Sequence, residues 1–244
     1  MEAPYEVISG SARVLLTCEH ASQRMPAGWA WPDEDARRLV DTHWAYDLGA
    51  ERITRELAEA CGAGAVLSRF TRLLIDPNRE LSSPTLFREH AESVIVQLNH
   101  GLDDAEKKRR IDGLYRPYHE ALERTAATSS AETMLSIHTF TPNYEGEQRA
   151  VELGVLFDSC EREARAFGDA LTRAGFALEY NEPWSGLEGL MYSVEHHAIA
   201  NGKRAIEIEV RQDRAEDPAY RRKLVSAIAA YFKSRDAKTI TDWA

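Results

Sequence analysis

The chain has 244 residues, of which 43% are hydrophobic and 29% are charged, and its formal net charge is −10 at pH 7. This length and composition are typical of a globular protein with one large core, although two small domains would also fit the length. The negative charge argues against general binding to nucleic acid or to an anionic membrane, because both polyanions would repel the chain.

The cysteine content and the first residues indicate a compartment. Cys18, Cys61 and Cys160 are too few and too scattered for a disulfide framework or a cysteine-based zinc site. The N-terminal residues show neither the basic nor the apolar region of a signal peptide, and no apolar stretch approaches the length of a membrane span. We therefore expect reduced thiols, a cytoplasmic location and no membrane partner.

Hydrophobic periodicity predicts alternating strands and helices. In chain order, it predicts a strand at 14–17, a loop at 23–35, a helix at 39–61, strands at 65–70 and 73–75, and a helix at 105–127. Strands at 135–140 and 151–157, a helix at 161–174, a strand at 176–180, a helix at 187–200, a strand at 205–210 and a helix at 218–233 follow. This alternation indicates an α/β protein with a mixed, mostly parallel sheet and helices on both faces, a three-layer sandwich. Because no repeat or linker interrupts it, we predict a single domain over residues 1–244.

Two apolar runs each end at a histidine, at His20 and at His138. In open α/β sheets, ligands bind outside the carboxyl ends of the strands, and neutral imidazole is a favoured zinc ligand. Either histidine alone could be a half-buried, hydrogen-bonded residue, but the pair favours a metal site. Glu19 should point to the opposite side from His20 unless the strand has already ended, because side chains alternate along a strand.

A third ligand could come from His43 or Asp47. In the predicted helix 39–61 these residues lie at positions i and i+4 and share one face. That pairing suits a metal ligand, or a carboxylate that orients a ligating imidazole. A plain surface hydrogen bond between them would explain the spacing equally well.

Polar residues surround the predicted strand 73–75. Arg72 precedes it, and Asp76, Asn78 and Arg79 follow it. Arginine binds carboxylates in a bidentate manner and can stabilise a developing oxyanion. The ordinary role of such residues would be solvation of the surface.

In the predicted strand 205–210, apolar residues alternate with carboxylates. Glu207 and Glu209 should therefore share one face. A structural interpretation is an edge strand with one solvated face. The functional interpretation is that Glu209, which is nearest the strand exit, acts as a general base beside the metal.

Several motifs follow one another along nearly the whole chain. They are Cys18-Glu-His-Ala-Ser22, Asp41-Thr-His-Trp-Ala-Tyr-Asp-Leu-Gly-Ala50, Arg72-Leu-Leu-Ile-Asp-Pro-Asn-Arg79, Tyr115-Arg-Pro-Tyr-His119, Ile137-His138, Asn181-Glu-Pro-Trp-Ser-Gly186 and Glu209-Val-Arg-Gln-Asp213. Together and in this order they resemble the N-formylglutamate amidohydrolase family, within the wider zinc carboxypeptidase and aspartoacylase group. The resemblance implies a zinc-carboxypeptidase-like α/β fold and one zinc ion, or another divalent metal. It also implies hydrolysis of the amide of a small N-formyl or N-acyl acidic amino acid such as N-formylglutamate.

The resemblance also implies roles for individual residues. Asn78 and Arg79 would hold the substrate carboxylate, and Arg72 would polarise the scissile carbonyl. His138 would be the late zinc-binding histidine of the group, and Glu209 its catalytic glutamate. His119 and His197 also match family positions and would have pocket or orienting roles, and His197 and Arg211 would take part in substrate binding.

The chain departs from the wider group at the first metal motif. There the pattern is His-x-x-Glu, with both residues binding zinc, whereas His20 is followed at that spacing by Gln23. A neutral amide is a poor zinc ligand, so the missing donor must come from elsewhere. His43 or Asp47 is the natural substitute.

Three functions fit this sequence. The working hypothesis is a metal held by His20, His138 and a donor from the His43/Asp47 pair, with Glu209 as the general base. A second is a deacylase or small peptidase of a different N-acyl amino acid, because specificity resides in loops on a shared fold. A third is a non-catalytic protein whose arginine-lined pocket binds an acidic metabolite.

Overall fold

A mixed sheet of seven strands forms the centre of the protein. The computed structural model describes residues 3–144 and 146–241. The strands of this sheet are β1 (Tyr5–Ile8), β2 (Val14–Cys18), β3 (Gly64–Ser68), β6 (Thr133–Phe140), β9 (Leu153–Leu156), β10 (Glu179–Tyr180) and β11 (Arg204–Arg211). Short hairpins are formed by β4 (His90–Ala91) with β5 (Val94–Ile95) and by β7 (Asn143–Tyr144) with β8 (Glu147–Gln148).

The strand order is β1-β3-β2-β6-β11-β9-β10. Strands β3, β2, β6 and β11 are mutually parallel, and β10 is parallel to β9. The antiparallel pairs are β1 with β3 and β9 with β11. The predicted fold class, with its mostly parallel sheet, is confirmed. Because β2, β6 and β11 run in the same direction, their carboxyl ends meet at one edge of the sheet.

Helices cover both faces of the sheet. They are α1 (Asp33–Leu39), α2 (Ala50–Cys61), α3 (Asp104–Arg110), α4 (Arg116–Thr128), α5 (Glu161–Arg173), α6 (Tyr192–Ala200), α7 (Gln212–Glu216) and α8 (Pro218–Thr241). On one face α2, α5 and α8 bury Ile53, Phe167 and Leu224, and on the other α4 and α6 bury Leu122 and Val194. The central strands are therefore buried on both sides, as expected of parallel strands between two helical layers.

The predicted helix 39–61 is wrong in its first half. Helix α2 begins only at Ala50, and residues 40–49 form turns. Asp41 and Gly49 adopt left-handed backbone conformations, with φ of 62° and 86°, which an α-helix cannot contain. His43 and Asp47 therefore do not share a helix face. The predicted loop 23–35 is also wrong at its end, because α1 begins at Asp33.

Two interpretations of strands are corrected as well. Residues 73–75 form a turn, and instead of pairing in a sheet, Leu73 and Leu74 accept hydrogen bonds at their carbonyls from Asn99 and Arg110. Strand β11 lies between β6 and β9, so the edge-strand interpretation is wrong. Strand β1, which the sequence pattern did not predict, pairs with the outer side of β3.

The other predicted elements are present, with altered bounds. The helix predicted at 105–127 is interrupted by a π-helical turn, Ile111–Tyr115, and the one predicted at 187–200 begins at Tyr192 after a 3₁₀ turn, Gly186–Glu188. The strand predicted at 176–180 shortens to its last two residues. None of the helices in the described ranges is both long and apolar enough to span a membrane.

Candidate active site

A cavity of about 260 Å³ opens at the carboxyl edge of β2, β6 and β11. Its polar and charged lining includes His20, His43, Asp47, Arg72, Asn78, Arg79, Arg88, His138, Arg149, Glu207 and Glu209. Its aromatic lining comprises Trp44, Phe140, Tyr144 and Trp184. Imidazoles, carboxylates and guanidinium groups thus meet where the strand topology predicts a ligand site.

His20, Asp47 and His138 form a compact buried group. His20 follows the end of β2, His138 lies near the end of β6, and Asp47 lies in the turn before α2. The Oδ2 atom of Asp47 is 2.8 Å from Nδ1 of His138 and 3.4 Å from Nδ1 of His20. In the described part of the chain, this is the one group of histidine, cysteine or acidic residues whose ligand atoms all lie within 4.8 Å. Two nitrogens and one carboxylate oxygen are a donor set suited to zinc.

The far side of each imidazole is bound to a carboxylate. Arg72 and His20 hold the pKa of Asp76 well below its usual range, despite its burial, so Asp76 accepts the Nε2–H of His20 at 2.7 Å. Hydrogen bonds lower the pKa of Glu19 to about 2, again against the effect of burial, and Glu19 accepts the Nε2–H of His138 at 3.2 Å. With Nε2 protonated, each ring can present the lone pair of Nδ1 to a cation.

The residues of this group fit a divalent metal ion on two further grounds. Nδ1 of His20 is buried and makes no hydrogen bond within residues 3–144 and 146–241. The surrounding charge is strongly negative, because several carboxylates here are at most 6% exposed: Glu19, Asp47, Asp76, Glu207 and Glu209. Arg72 supplies one compensating positive charge, through contacts of 2.7 Å to Asp76 and 3.5 Å to Asp47. Buried carboxylates need a compensating cation, and a divalent metal would supply it.

Glu207 and Glu209 project from β11 into the same cavity. Glu209 is paired in register with His138 on β6, and Oε2 of Glu207 lies 3.6 Å from Nε2 of His138. Within the described residues, Oε2 of each glutamate is buried and accepts no hydrogen bond. Burial raises the pKa of Glu207 to about 7 and that of Glu209 well above its ordinary value. A carboxylate with a raised pKa can exchange protons near neutral pH.

Residues 71–79 form an irregular segment along one wall. The amide of Asn78 donates to the carbonyl of Leu190 at 3.1 Å, and its Oδ1 accepts from the backbone N–H of Ser193 at 3.0 Å. The guanidinium of Arg79 donates to the carbonyl of Asn78 and to Thr85. No ion pair to a carboxylate in the described ranges involves Arg79, so its charge is available to an anionic ligand.

Other predicted site residues lie apart from the buried group of His20, Asp47 and His138. His43 lines the cavity and packs on Trp44, with ring centres 4.8 Å apart. The amide of Gln23 donates to Asp41. His197 and Arg211 lie outside the cavity lining. His197 is hydrogen-bonded to His119 at 2.9 Å and to Glu123 at 2.7 Å, and Arg211 is bound to Asp213 at 2.7 Å.

Sequence reasoning missed several residues of the site. It gave no role to Arg88, Arg149, Tyr144 and Trp184, although Trp184 stands in one of the motifs. For Glu19 the sequence left the orientation dependent on where the first strand ends; β2 ends at Cys18, and Oε2 of Glu19 lies 3.2 Å from Nε2 of His138. Tyr144 lies in β7 and Arg149 directly follows β8, and the two-residue strands of this hairpin leave no periodic signal.

Comparison with known proteins gives the family. The sequence model of the N-formylglutamate amidohydrolase family matches residues 12–215. The chain belongs to this family. The predicted membership is thus confirmed, and with it a hydrolase that acts on an amide bond.

Two solved structures are similar to this chain in fold. The structure of gene product Atu2144 from Agrobacterium tumefaciens is 29% identical, with a TM-score of 0.85, and the alignment covers 98% of this chain and 96% of that one. N-formylglutamate amidohydrolase from Ralstonia eutropha JMP134 is 18% identical, with a TM-score of 0.64, covering 96% and 98%. That second likeness shows the fold alone. No curated protein sequence matches the chain.

Proposed function

We propose that the protein is a metal-dependent amidohydrolase that removes the formyl or another acyl group from an N-acyl acidic amino acid such as N-formylglutamate. The observation that supports this most directly is the convergence of His20, Asp47 and His138 beside Glu209 in an arginine-lined cavity. The enzyme would act in the cytoplasm, as one domain over residues 1–244, on a small molecule.

His20, His138 and Asp47 would hold the metal, with Asp76 and Glu19 orienting the two imidazoles. When bound, a zinc ion, or another divalent metal, supplies positive charge that polarises the acyl carbonyl and acidifies water. Asp47, not His43, is the donor that completes the set, because its carboxylate faces both Nδ1 atoms.

Glu209 would move the proton. It takes a proton from the attacking water and returns it to the departing amine, so the products are a carboxylate and a free amino acid. Burial raises the pKa of Glu209, which favours uptake of the proton from water. Arg72 lines the same cavity and would donate hydrogen bonds to the oxyanion that develops on the acyl carbonyl.

Asn78 and Arg79 would hold the α-carboxylate of the substrate. Arg79 has no acidic partner within the described residues, and its guanidinium lines the cavity. A fixed guanidinium of this kind binds a carboxylate through two parallel hydrogen bonds. Arg211 would act from outside the cavity lining, by holding the backbone carbonyls of Arg149 and Ala150. His197, which is hydrogen-bonded to His119 and Glu123, would orient His119.

Glu209→Gln tests the proposal. With zinc supplied, the wild type should hydrolyse N-formyl-L-glutamate, and N-acetyl-L-glutamate serves as the comparison for the acyl group. Glu209→Gln should lower kcat on the order of 10²- to 10⁴-fold, the usual contribution of a general base, while zinc content measured by mass spectrometry stays at the wild-type value. Glu120→Gln, which changes an exposed glutamate on α4, is the matched control.

Two outcomes would contradict the proposal. Full activity of Glu209→Gln would remove the base assignment. A purified wild-type chain that lacks zinc and hydrolyses none of these substrates when zinc is restored would instead favour a binding protein.

A further inference from the structure

Arg149 occupies an aromatic enclosure at the cavity wall. Its guanidinium carbon lies 4.5 Å from the ring centre of Trp184, 4.7 Å from that of Tyr144 and 5.5 Å from that of Phe140. Its side chain lines the same cavity as Glu209. Its backbone N–H donates to the carbonyl of Pro142 at 2.8 Å, which closes the β7–β8 hairpin. The rings therefore fix the position of this cation.

Three other arginines that stack on aromatic rings each pair with a carboxylate of the chain. Arg109 stacks on Trp29 and pairs with Glu106, Arg165 stacks on Tyr180 and pairs with Glu161, and Arg214 stacks on Tyr220 and pairs with Glu152. Arg149 has no carboxylate within 4.0 Å and no side-chain hydrogen bond among residues 3–144 and 146–235. Aromatic faces orient a guanidinium but do not neutralise it. The positive charge of Arg149 is therefore oriented but not neutralised by the described residues, and it can bind an anionic ligand.

Arg88 also stacks on a ring of the cavity, that of Trp44 at 5.3 Å, and likewise has no acidic partner in the described ranges. Its surroundings differ from those of Arg149. Besides burial, the charges of Arg72 and Arg79 lower the pKa of Arg88, so Arg88 stands with Arg79 in one positive region. Burial also lowers the pKa of Arg149, and the negative charge of Glu209 raises it. Arg88 stacks on Trp44, whereas Arg149 stacks on Phe140, Tyr144 and Trp184, so Arg149 is a second positive position in the cavity lining.

The backbone of Arg149 is held from behind by Arg211. Nη1 of Arg211 donates to the carbonyl of Arg149 at 3.1 Å and to that of Ala150 at 3.3 Å. Arg211 is itself fixed by Asp213 at 2.7 Å. The segment after β8 is thus anchored, and the stacked guanidinium can bind a ligand without first being ordered.

We propose that Arg149, enclosed by Phe140, Tyr144 and Trp184, binds the side-chain carboxylate of the substrate and thereby makes the enzyme selective for N-acyl amino acids with an acidic side chain. This inference rests on the proposed function, in which Asn78 and Arg79 bind the α-carboxylate. Arg149 is then a specificity-determining residue, and Arg211 is a positioning residue that acts through it.

A pair of isosteric substrates tests the proposal. N-formyl-L-glutamate and N-formyl-L-glutamine differ only in the charged group that Arg149 would bind. Arg149→Met should lower kcat/KM for the glutamate derivative on the order of 10- to 100-fold, the loss of one hydrogen bond to a charged group, and change it less than about twofold for the glutamine derivative. Arg165→Met, which removes a stacked arginine outside the cavity, should change neither. Equal losses on both substrates, or no loss on either, would overturn the proposal.

Binding separates this proposal from the proposed function. By calorimetry, the zinc-loaded wild type should bind glutarate at least about tenfold more tightly than its monoamide, glutaramate, which has one carboxylate fewer. Arg149→Met should abolish that preference, and Arg165→Met should retain it. If the wild type hydrolyses neither formyl substrate, the proposed function fails, but the same titrations still decide the role of Arg149. A wild type without the preference, or an Arg149→Met variant that keeps it, would refute that role.

Discussion

Asp76 links His20, a proposed metal ligand, to Arg72 in the cavity lining. Its Oδ1 accepts from Nε2 of His20 at 2.7 Å and from the backbone N–H of Asn78 at 2.9 Å, and its Oδ2 accepts from Arg72 at 2.7 Å. In Asp76→Asn, the amide oxygen can keep the first two hydrogen bonds. The new NH₂ group faces Arg72, and because both groups are donors, they cannot form a hydrogen bond with each other. The substitution therefore removes the negative charge behind His20 and the ion pair, with little change in shape.

We expect Asp76→Asn to weaken zinc binding. Loss of a partner that orients a ligating histidine usually lowers metal affinity on the order of 10- to 100-fold, which is about 1.4 to 2.7 kcal/mol. Hydrolytic activity at limiting zinc should fall in parallel and recover in excess zinc, to the extent that Arg72 keeps its position.

Competition with a chromophoric chelator at pH 7 would measure the zinc affinity, and thermal unfolding would show that the variant is folded. Asp112→Asn, which removes a partly exposed carboxylate that pairs with Arg116, is the matched control and should bind zinc like the wild type. If Asp76→Asn binds zinc within a factor of about two of the wild type, the orienting role of Asp76 is wrong.

Two further predictions concern the metal donors and the response to acid. Asp47→Ala should lose most of its zinc during purification, whereas His43→Ala should retain it, and the reverse result in metal analysis would transfer the ligand role to His43. Burial, followed by the charge of His197, lowers the pKa of His119 to about 3 from its ordinary value of 6.5. Between these two pH values, His119 binds a proton in the unfolded chain but not in the folded chain. The free energy of unfolding therefore falls as the pH is lowered from 6.5 towards 3. The contribution of His119 to this fall is at most about 1.4 kcal/mol per pH unit. Urea unfolding of His119→Phe at pH 7, 6, 5 and 4 should show a shallower fall than the wild type, and parallel curves would exclude this contribution.

Local patterns predicted the parts of the fold whose signal is periodic. The strands β2, β6 and β11 carry continuous or alternating apolar residues, and α5 and α8 carry amphipathic repeats, so their existence follows from which side chains must leave water. Short elements without a periodic signal were missed or misassigned, as β1 and the turn at residues 73–75 show. Buried apolar residues such as Leu73 and Leu74 satisfy a strand pattern equally well when their carbonyls are bound by Asn99 and Arg110.

In the candidate site, too, local patterns predicted some residues and not others. His20 and His138 could be singled out because each ends an apolar run, and the order of the motifs was enough to predict the family. The proposed choice of Asp47 over His43 depends on the path of residues 40–49, where left-handed conformations at Asp41 and Gly49 replace the predicted helix and Asp47 faces both imidazoles. No helical spacing rule applies to such a turn.

The sequence by itself therefore determined the fold class, the family and the residue types available for hydrolysis. Only the tertiary structure decided that β11 lies inside the sheet and that the carboxylate of Glu19 contacts His138. The tertiary structure was also needed to show that Arg149 stacks on three aromatic rings and has no carboxylate partner among the described residues. The reason is physical: side-chain periodicity is a local property, whereas strand neighbours, buried charge pairs and cavity walls depend on contacts between residues far apart in the chain.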